Sequence, residues 1–173
     1  MTTDELKALV RDVPDFPQEG IVFKDLMPLI GNAQAFHSTV EHLAEWAGPR
    51  KPDVILGAEA RGFIFGGALA YELGCGFVPA RKPGKLPWEK IRATYELEYG
   101  SNSLEIHADA FSKGARVIVL DDVLATGGTA QAKVELVENL GGEVVGALFV
   151  IELTFLSGRE KLDGTEVHAL IAY

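Results

Sequence analysis

The chain has 173 residues, 47% of them hydrophobic and 24% charged, and a formal net charge of −9 at pH 7. That composition fits one compact domain with a substantial core and excludes a disordered chain or a fibrous repeat. A single cysteine, Cys75, excludes a disulfide framework or a zinc ribbon, and a pI of about 4.9 means that any anionic partner must be met by a local cationic patch.

Residues 1–11 read as the start of an amphipathic helix, with acids where a secretory leader would carry bases. No apolar run approaches the ~18 residues of a membrane span. The expectation is therefore a cytoplasmic protein with neither a membrane nor a nucleic acid as partner. Residues 12–31 contain Pro14, Pro17, Pro28 and a turn at Gln18-Glu19-Gly20 around the apolar Ile21-Val22-Phe23, which predicts an irregular cap or small N-terminal hood. From Lys51 onward, apolar runs alternate with helix-like stretches, as a parallel sheet with crossovers demands. Residues 53–56 (DVIL) predict a buried strand, 62–73 a helix closed by Gly74, and 77–80 a short strand. Residues 82–103, with Pro83, Gly84, Pro87 and Gly100, predict a long flexible loop suited to a lid. Residues 116–120 (RVIVL) are the strongest strand signal; a helix follows over 129–140, then strands at 144–153 and 167–172. With no linker or repeat, the reading is a single α/β domain over 1–173 with a central, mostly parallel sheet flanked by helices.

The densest chemistry lies in residues 117–129 (VIVLDDVLATGGT). A buried strand delivers Asp121 and Asp122 to its C-terminal edge, where open α/β sheets bind ligands, and Ala125-Thr126-Gly127-Gly128-Thr129 then opens a helix. Glycines allow a tight wrap around an anion, and free N–H groups with the helix dipole favour a phosphate. The acids cannot hold that phosphate; they suit hydroxyl groups, or a hydrated Mg²⁺ beside it, so a phosphorylated sugar is the implied ligand. Competing nucleotide motifs fail: there is no GxxxxGK[ST], and Gly74-Cys75-Gly76 is followed by Pro79 where a dinucleotide fingerprint needs Gly. A phosphoacceptor receiver domain would carry its acid pair after the first strand and would not explain the Gly-Gly. His37 and His42 lie roughly 140° apart on a helix, with no metal-site motif around them, and read as surface residues.

The segment 117–129 resembles the phosphoribosyl pyrophosphate (PRPP) signature of type I phosphoribosyltransferases. Residues 16–29 (FPQEGIVFKDLMPL), 59–63 (EARGF), 81–87 (RKPGKLP) with 97–100 (LEYG), and 152–154 (ELT) with 158–162 (GREKL) narrow the resemblance to the adenine-using branch of that family and cover nearly the whole chain in order. The resemblance implies transfer of the phosphoribosyl group of PRPP to adenine, giving AMP and pyrophosphate, with Mg²⁺ on the pyrophosphate and a homodimer as the assembly. By the same resemblance, residues 125–129 would cradle the 5′-phosphate, and Asp121 and Asp122 would hold the ribose hydroxyls and favour a cationic transition state. Glu59, Ala60, Arg61, Arg81, Lys82 and Lys85 would bind pyrophosphate. Lys90 and Arg92 extend that basic run, which in the local sequence is opposed by Glu89 alone. Phe23 would stack on adenine with Leu153 on the other face, the Val22 backbone would read the ring edge beside Lys24, and Glu98 and Tyr99 would close over the ribose and base as part of the lid, Glu98 assisting proton transfer. Glu59 and Ala60 depart from the Asp and Ser more usual there. The alternatives are a 6-oxopurine enzyme, which would usually carry a Lys after residues 150–153, and a PRPP-binding regulator, which would usually add a DNA-binding domain or a basic surface.

Overall fold

The computed structural model describes residues 1–96 and 101–173. They fall into two compact units, 1–42 and 43–173.

In the first unit, Thr2 caps helix α1 (Thr3–Lys7): its hydroxyl accepts from Glu5 N, and the Glu5 carboxylate accepts from Thr2 N at 2.8 Å. Strands β1 (Arg11–Pro14) and β2 (Val22–Asp25) form an antiparallel hairpin, followed by the short helix α2 (Met27–Ile30). The predicted irregular cap is thus largely regular. Its prolines are accommodated because Pro14 ends a strand and Pro28 lies in the first turn of a helix, where no N–H is required. Helix α3 (Ala33–Ala47), for which the sequence offered no bounds beyond a helical placement of His37 and His42, spans the boundary at residue 42.

The second unit continues with β3 (Val54–Ala58), α4 (Arg61–Leu73), β4 (Gly76–Ala80), β5 (Lys90–Glu96), β6 (Ser101–His107), β7 (Arg116–Leu124), α5 (Gly128–Asn139), β8 (Glu143–Glu152) and β9 (Val167–Ala172). Five of these strands form an all-parallel sheet in the order β4-β3-β7-β8-β9. Helix α4 ends on Gly74 at φ +67, as the sequence predicts. Strand β7 runs four residues beyond the predicted Leu120, so the two acids lie inside the strand rather than after it. Because β3→β4 and β7→β8 step in opposite directions along the sheet, right-handed crossovers put α4 and α5 on opposite faces. On the α5 face, Val117, Val119 and Phe149 of the sheet are buried in one cluster with Ala130, Leu136 and Val137 of the helix.

The stretch 82–103, expected as a loop, is built differently. Residues 90–96 and 101–107 pair as the antiparallel ribbon β5-β6, with Ala93, Leu104 and Ile106 buried in the α5-face cluster. Alternating apolar positions in these strands are the signal that the flanking Pro and Gly residues obscured. Residues 97–100, including the lid residues Glu98 and Tyr99, lie outside the described residues.

Candidate active site

The strand order reverses between β3 and β7, and the C-terminal ends of these two strands therefore flank a crevice from which α4 and α5 depart on opposite faces. Arg61 opens α4, and residues 125–129 lead into α5, so the topology delivers the predicted cation, acid pair and phosphate loop to one end of the sheet.

Adjacent residues on a strand point to opposite faces, and the two acids accordingly meet different partners. Asp122, with its side chain only 8% exposed, forms an ion pair with Arg61 Nε from α4. Burial and the neighbouring Asp121 push its pKa up to about 6, against the opposing pull of Arg61. Asp121 instead accepts from Lys133 Nζ of α5 at 2.9 Å through Oδ2, and its Oδ1 accepts from Asp122 N at 3.1 Å. Gly62 permits this approach: a Cβ there would stand 2.8 Å from Asp121 Oδ1. Lys133 is fully buried and was not singled out by the sequence reading. Its signal is a lysine in the apolar stripe Ala130, Leu136, Val137 of α5, at helical spacing.

The predicted phosphate loop, residues 125–129, leads into a helix start with free N–H groups. Gly127 is the N-cap of α5 at φ +81, no side chain caps the helix, and the first bond of the helical ladder runs from Gln131 N to Gly127 O. The N–H groups of the first turn therefore point out of the helix end without an intrahelical acceptor. A Cβ on Gly127 would overlap the Gly158 carbonyl, and one on Gly158 would overlap the Ala125 carbonyl, so the segment after β8 packs backbone to backbone against the loop. That segment is anchored by Arg159, whose Nε and Nη2 each donate to the Glu152 carboxylate at 2.6 Å. Gly158 is a second residue the sequence reading left without a role in the site.

The basic segment is less bare than its local sequence indicates. Glu59 accepts from Arg81 Nη2 at 3.1 Å, Lys82 N at 2.6 Å and Lys85 Nζ at 3.3 Å. Burial alone would raise the Glu59 pKa, but these donors outweigh it and hold the carboxyl below its ordinary value. Glu105, 1% exposed, accepts from Arg92 Nη2 at 2.6 Å and from Gly84 N at 3.1 Å, and its backbone brackets that of Arg81. Glu59 thus stands as a counterion that fixes the cations, a role its local sequence did not indicate. Arg92 is held by Glu105, while Lys90 is exposed on β5.

Val22, Phe23 and Lys24 lie on β2 of the first unit. Phe23 is half-buried, edge-on to Phe16 at 5.2 Å, and Lys24 Nζ donates to Asp12 at 2.7 Å. The cross-strand partner of Val22 is Pro14, which has no N–H to offer. Leu153 follows β8 in the second unit and is half-buried. On α3, His37 pairs with Glu41, and His42 lies 2.9 Å from the Met1 carbonyl oxygen. Among the described residues, no three His, Cys, Asp or Glu side chains gather into a metal cage, and no helix is long and apolar enough to cross a membrane.

Comparison with known proteins follows the same lines. Residues 30–168 match the phosphoribosyl transferase domain. The chain is 56% identical to an adenine phosphoribosyltransferase of Thermoanaerobacter sp. over 173 residues, 100% of both chains. Its fold superposes on the crystal structure of adenine phosphoribosyltransferase from Thermoanaerobacter pseudethanolicus with a TM-score of 0.97 at 55% identity, covering 99% of this chain and 100% of that one. The Saccharomyces cerevisiae enzyme, solved with an imino-altritol bisphosphate and adenine, matches with a TM-score of 0.92 at 47% identity over 97% of each chain. The chain belongs to the phosphoribosyltransferase family, among its adenine phosphoribosyltransferase members.

Proposed function

We propose that the chain transfers the phosphoribosyl group of PRPP to adenine, forming AMP and pyrophosphate in purine salvage. The observation that carries this reading is the uncapped, Gly-Gly start of α5 beside the Asp121–Asp122 pair, at the switch point of a sheet shared over the full chain with adenine phosphoribosyltransferases. In this reading, the N–H groups of residues 125–129 take the 5′-phosphate and Asp121 and Asp122 meet the ribose hydroxyls. Their charge favours the positive ribose carbon as the bond to pyrophosphate stretches. Arg61, Arg81, Lys82 and Lys85 take the leaving pyrophosphate, and Ala60 contributes backbone. Val22, Phe23, Lys24 and Leu153 bind adenine, while Glu98 and Tyr99 cover the ribose, with Glu98 assisting the proton at the imidazole nitrogens of the base.

Mg²⁺ enters this scheme with the substrate. Both acids of the pair already face cations, Lys133 and Arg61, so the donor set fits a metal carried by the pyrophosphate oxygens of PRPP rather than one caged by the chain. Bound there, it would neutralise charge on the leaving group. The assembly in this proposal is a homodimer, which sedimentation at micromolar concentration would test.

The decisive experiment is AMP formation from PRPP, Mg²⁺ and a panel of purine bases. Adenine should be used far better than hypoxanthine or guanine, because a backbone acceptor suited to the 6-amino group leaves a 6-oxo group unpaired. Preferential use of hypoxanthine would overturn the assignment.

A further inference from the structure

The acid pair rests on a cation that none of the assigned roles uses. Lys133 is 0% exposed, and its Nζ lies between α5 and the sheet, 2.6 Å from the Leu120 carbonyl and 2.9 Å from Asp121 Oδ2, with the Phe149 ring centroid 5.9 Å away. Burying an ammonium is expensive unless it is paired, and here both partners belong to the strand that carries the pair. A purely structural lysine would need only some acceptor; this one takes the carboxylate that the proposed reaction needs held in place.

We propose that Lys133 is a positioning residue for the reaction, holding Asp121 from within the core so that its carboxylate stays aimed at the ribose beside Asp122. This rests on the proposed role of the acid pair. Two carboxylates on neighbouring residues repel one another, and without a fixed partner Asp121 would turn outward to water. Lys133 supplies that partner from α5, Arg61 supplies one for Asp122 from α4, and the two acids thereby hold opposite faces of β7 against their mutual repulsion. Because Lys133 also bonds the Leu120 carbonyl, the strand and the helix that opens with the phosphate cradle are tied at one atom.

A double-mutant cycle with Lys133→Met and Asp121→Asn tests this, read as kcat, KM for adenine and KM for PRPP, with melting temperature measured in parallel. Lys133→Met should lower kcat by about tenfold or more while KM for adenine stays within about twofold. The double variant should be no slower than Asp121→Asn alone, because Lys133 acts through Asp121. A kcat for Lys133→Met within about twofold of the parent, or a double variant that multiplies the two single losses, overturns the proposal while leaving the acid pair's role intact. If Asp121→Asn itself leaves kcat unchanged, the reading of the acid pair fails, and the proposal with it. Should Lys133→Met not fold, the double variant, which removes both charges at similar volume, carries the test against Asp121→Asn alone: equal kcat supports the proposal and a further loss overturns it.

Discussion

Among the described residues, Asp122 carries the clearest pH signature. Burial and the charge of Asp121 push its pKa to about 6, while Arg61 limits the rise. A carboxyl held above its ordinary 3.8 binds its proton more tightly folded than unfolded, so its contribution to stability is most favourable below pH 3.8 and declines as pH rises through about 6. Activity has the opposite sign, because the proposed reaction needs the carboxylate. The expected outcome is a kcat/KM for PRPP that falls by about tenfold per pH unit below pH 6. In Asp122→Asn, kcat should drop by about two orders of magnitude and that acid limb should flatten. Since the phosphates of PRPP titrate in the same range, the variant measured on the same substrate is the control. An unchanged limb would assign the titration to the substrate and remove Asp122 from the ionisation step.

At the scale of elements, the site depends on segments distant in sequence that hold its loops. The proposed phosphate loop, at the start of α5, is braced by the turn after β8, where Gly158 meets Gly127 and Ala125 backbone to backbone. Gly127→Ala introduces a Cβ at φ +81 and into the Gly158 carbonyl. It should therefore lower the melting temperature as well as raise KM for PRPP, and the loss should exceed the ~1 kcal/mol typical of backbone strain alone. Gly158→Ala should raise KM for PRPP without adding an atom to the loop itself, and an unchanged KM there would show that the brace is dispensable. The base of the basic segment is held similarly, by buried Glu105. Glu105→Gln should cost about 1–3 kcal/mol, seen as a lower melting temperature, and should open residues 82–96 to protease. Equal protection in parent and variant would rule out Glu105 as the clamp.

For the whole molecule, the governing quantity is charge. A chain of net −9 must bind a polyanion, and its cations at Arg81, Lys85 and Arg92 are already paired with Glu59 and Glu105. Attraction for PRPP is then local and salt-sensitive, because exposed pairs are screened within about 10 Å at 0.1 M salt. KM for PRPP should rise with added KCl between 0.05 and about 0.3 M while KM for neutral adenine stays flat. A KM for PRPP that falls with salt would mean that the global negative field outweighs the local cations.

The sequence by itself determined the alternation of strands and helices, the Gly74 helix stop, the strand β9 and the composition of residues 117–129, because these depend on local periodicity, backbone freedom at glycine and short spacing. It also carried the family resemblance, which rests on several segments in order. What it could not determine was which charges meet. Glu59 neutralising Arg81 and Lys85, Glu105 clamping Gly84 and Arg92, Lys133 beneath Asp121 and Gly158 against Gly127 all join residues well separated in the chain. The ribbon β5-β6 was hidden for a related reason: its alternating apolar positions are flanked by Pro and Gly, and the cluster on the α5 face that buries them is built from residues distant in the chain. Local propensity is written along the chain, whereas pairing and desolvation exist only once the sheet has brought distant residues together, and only the tertiary structure decided them.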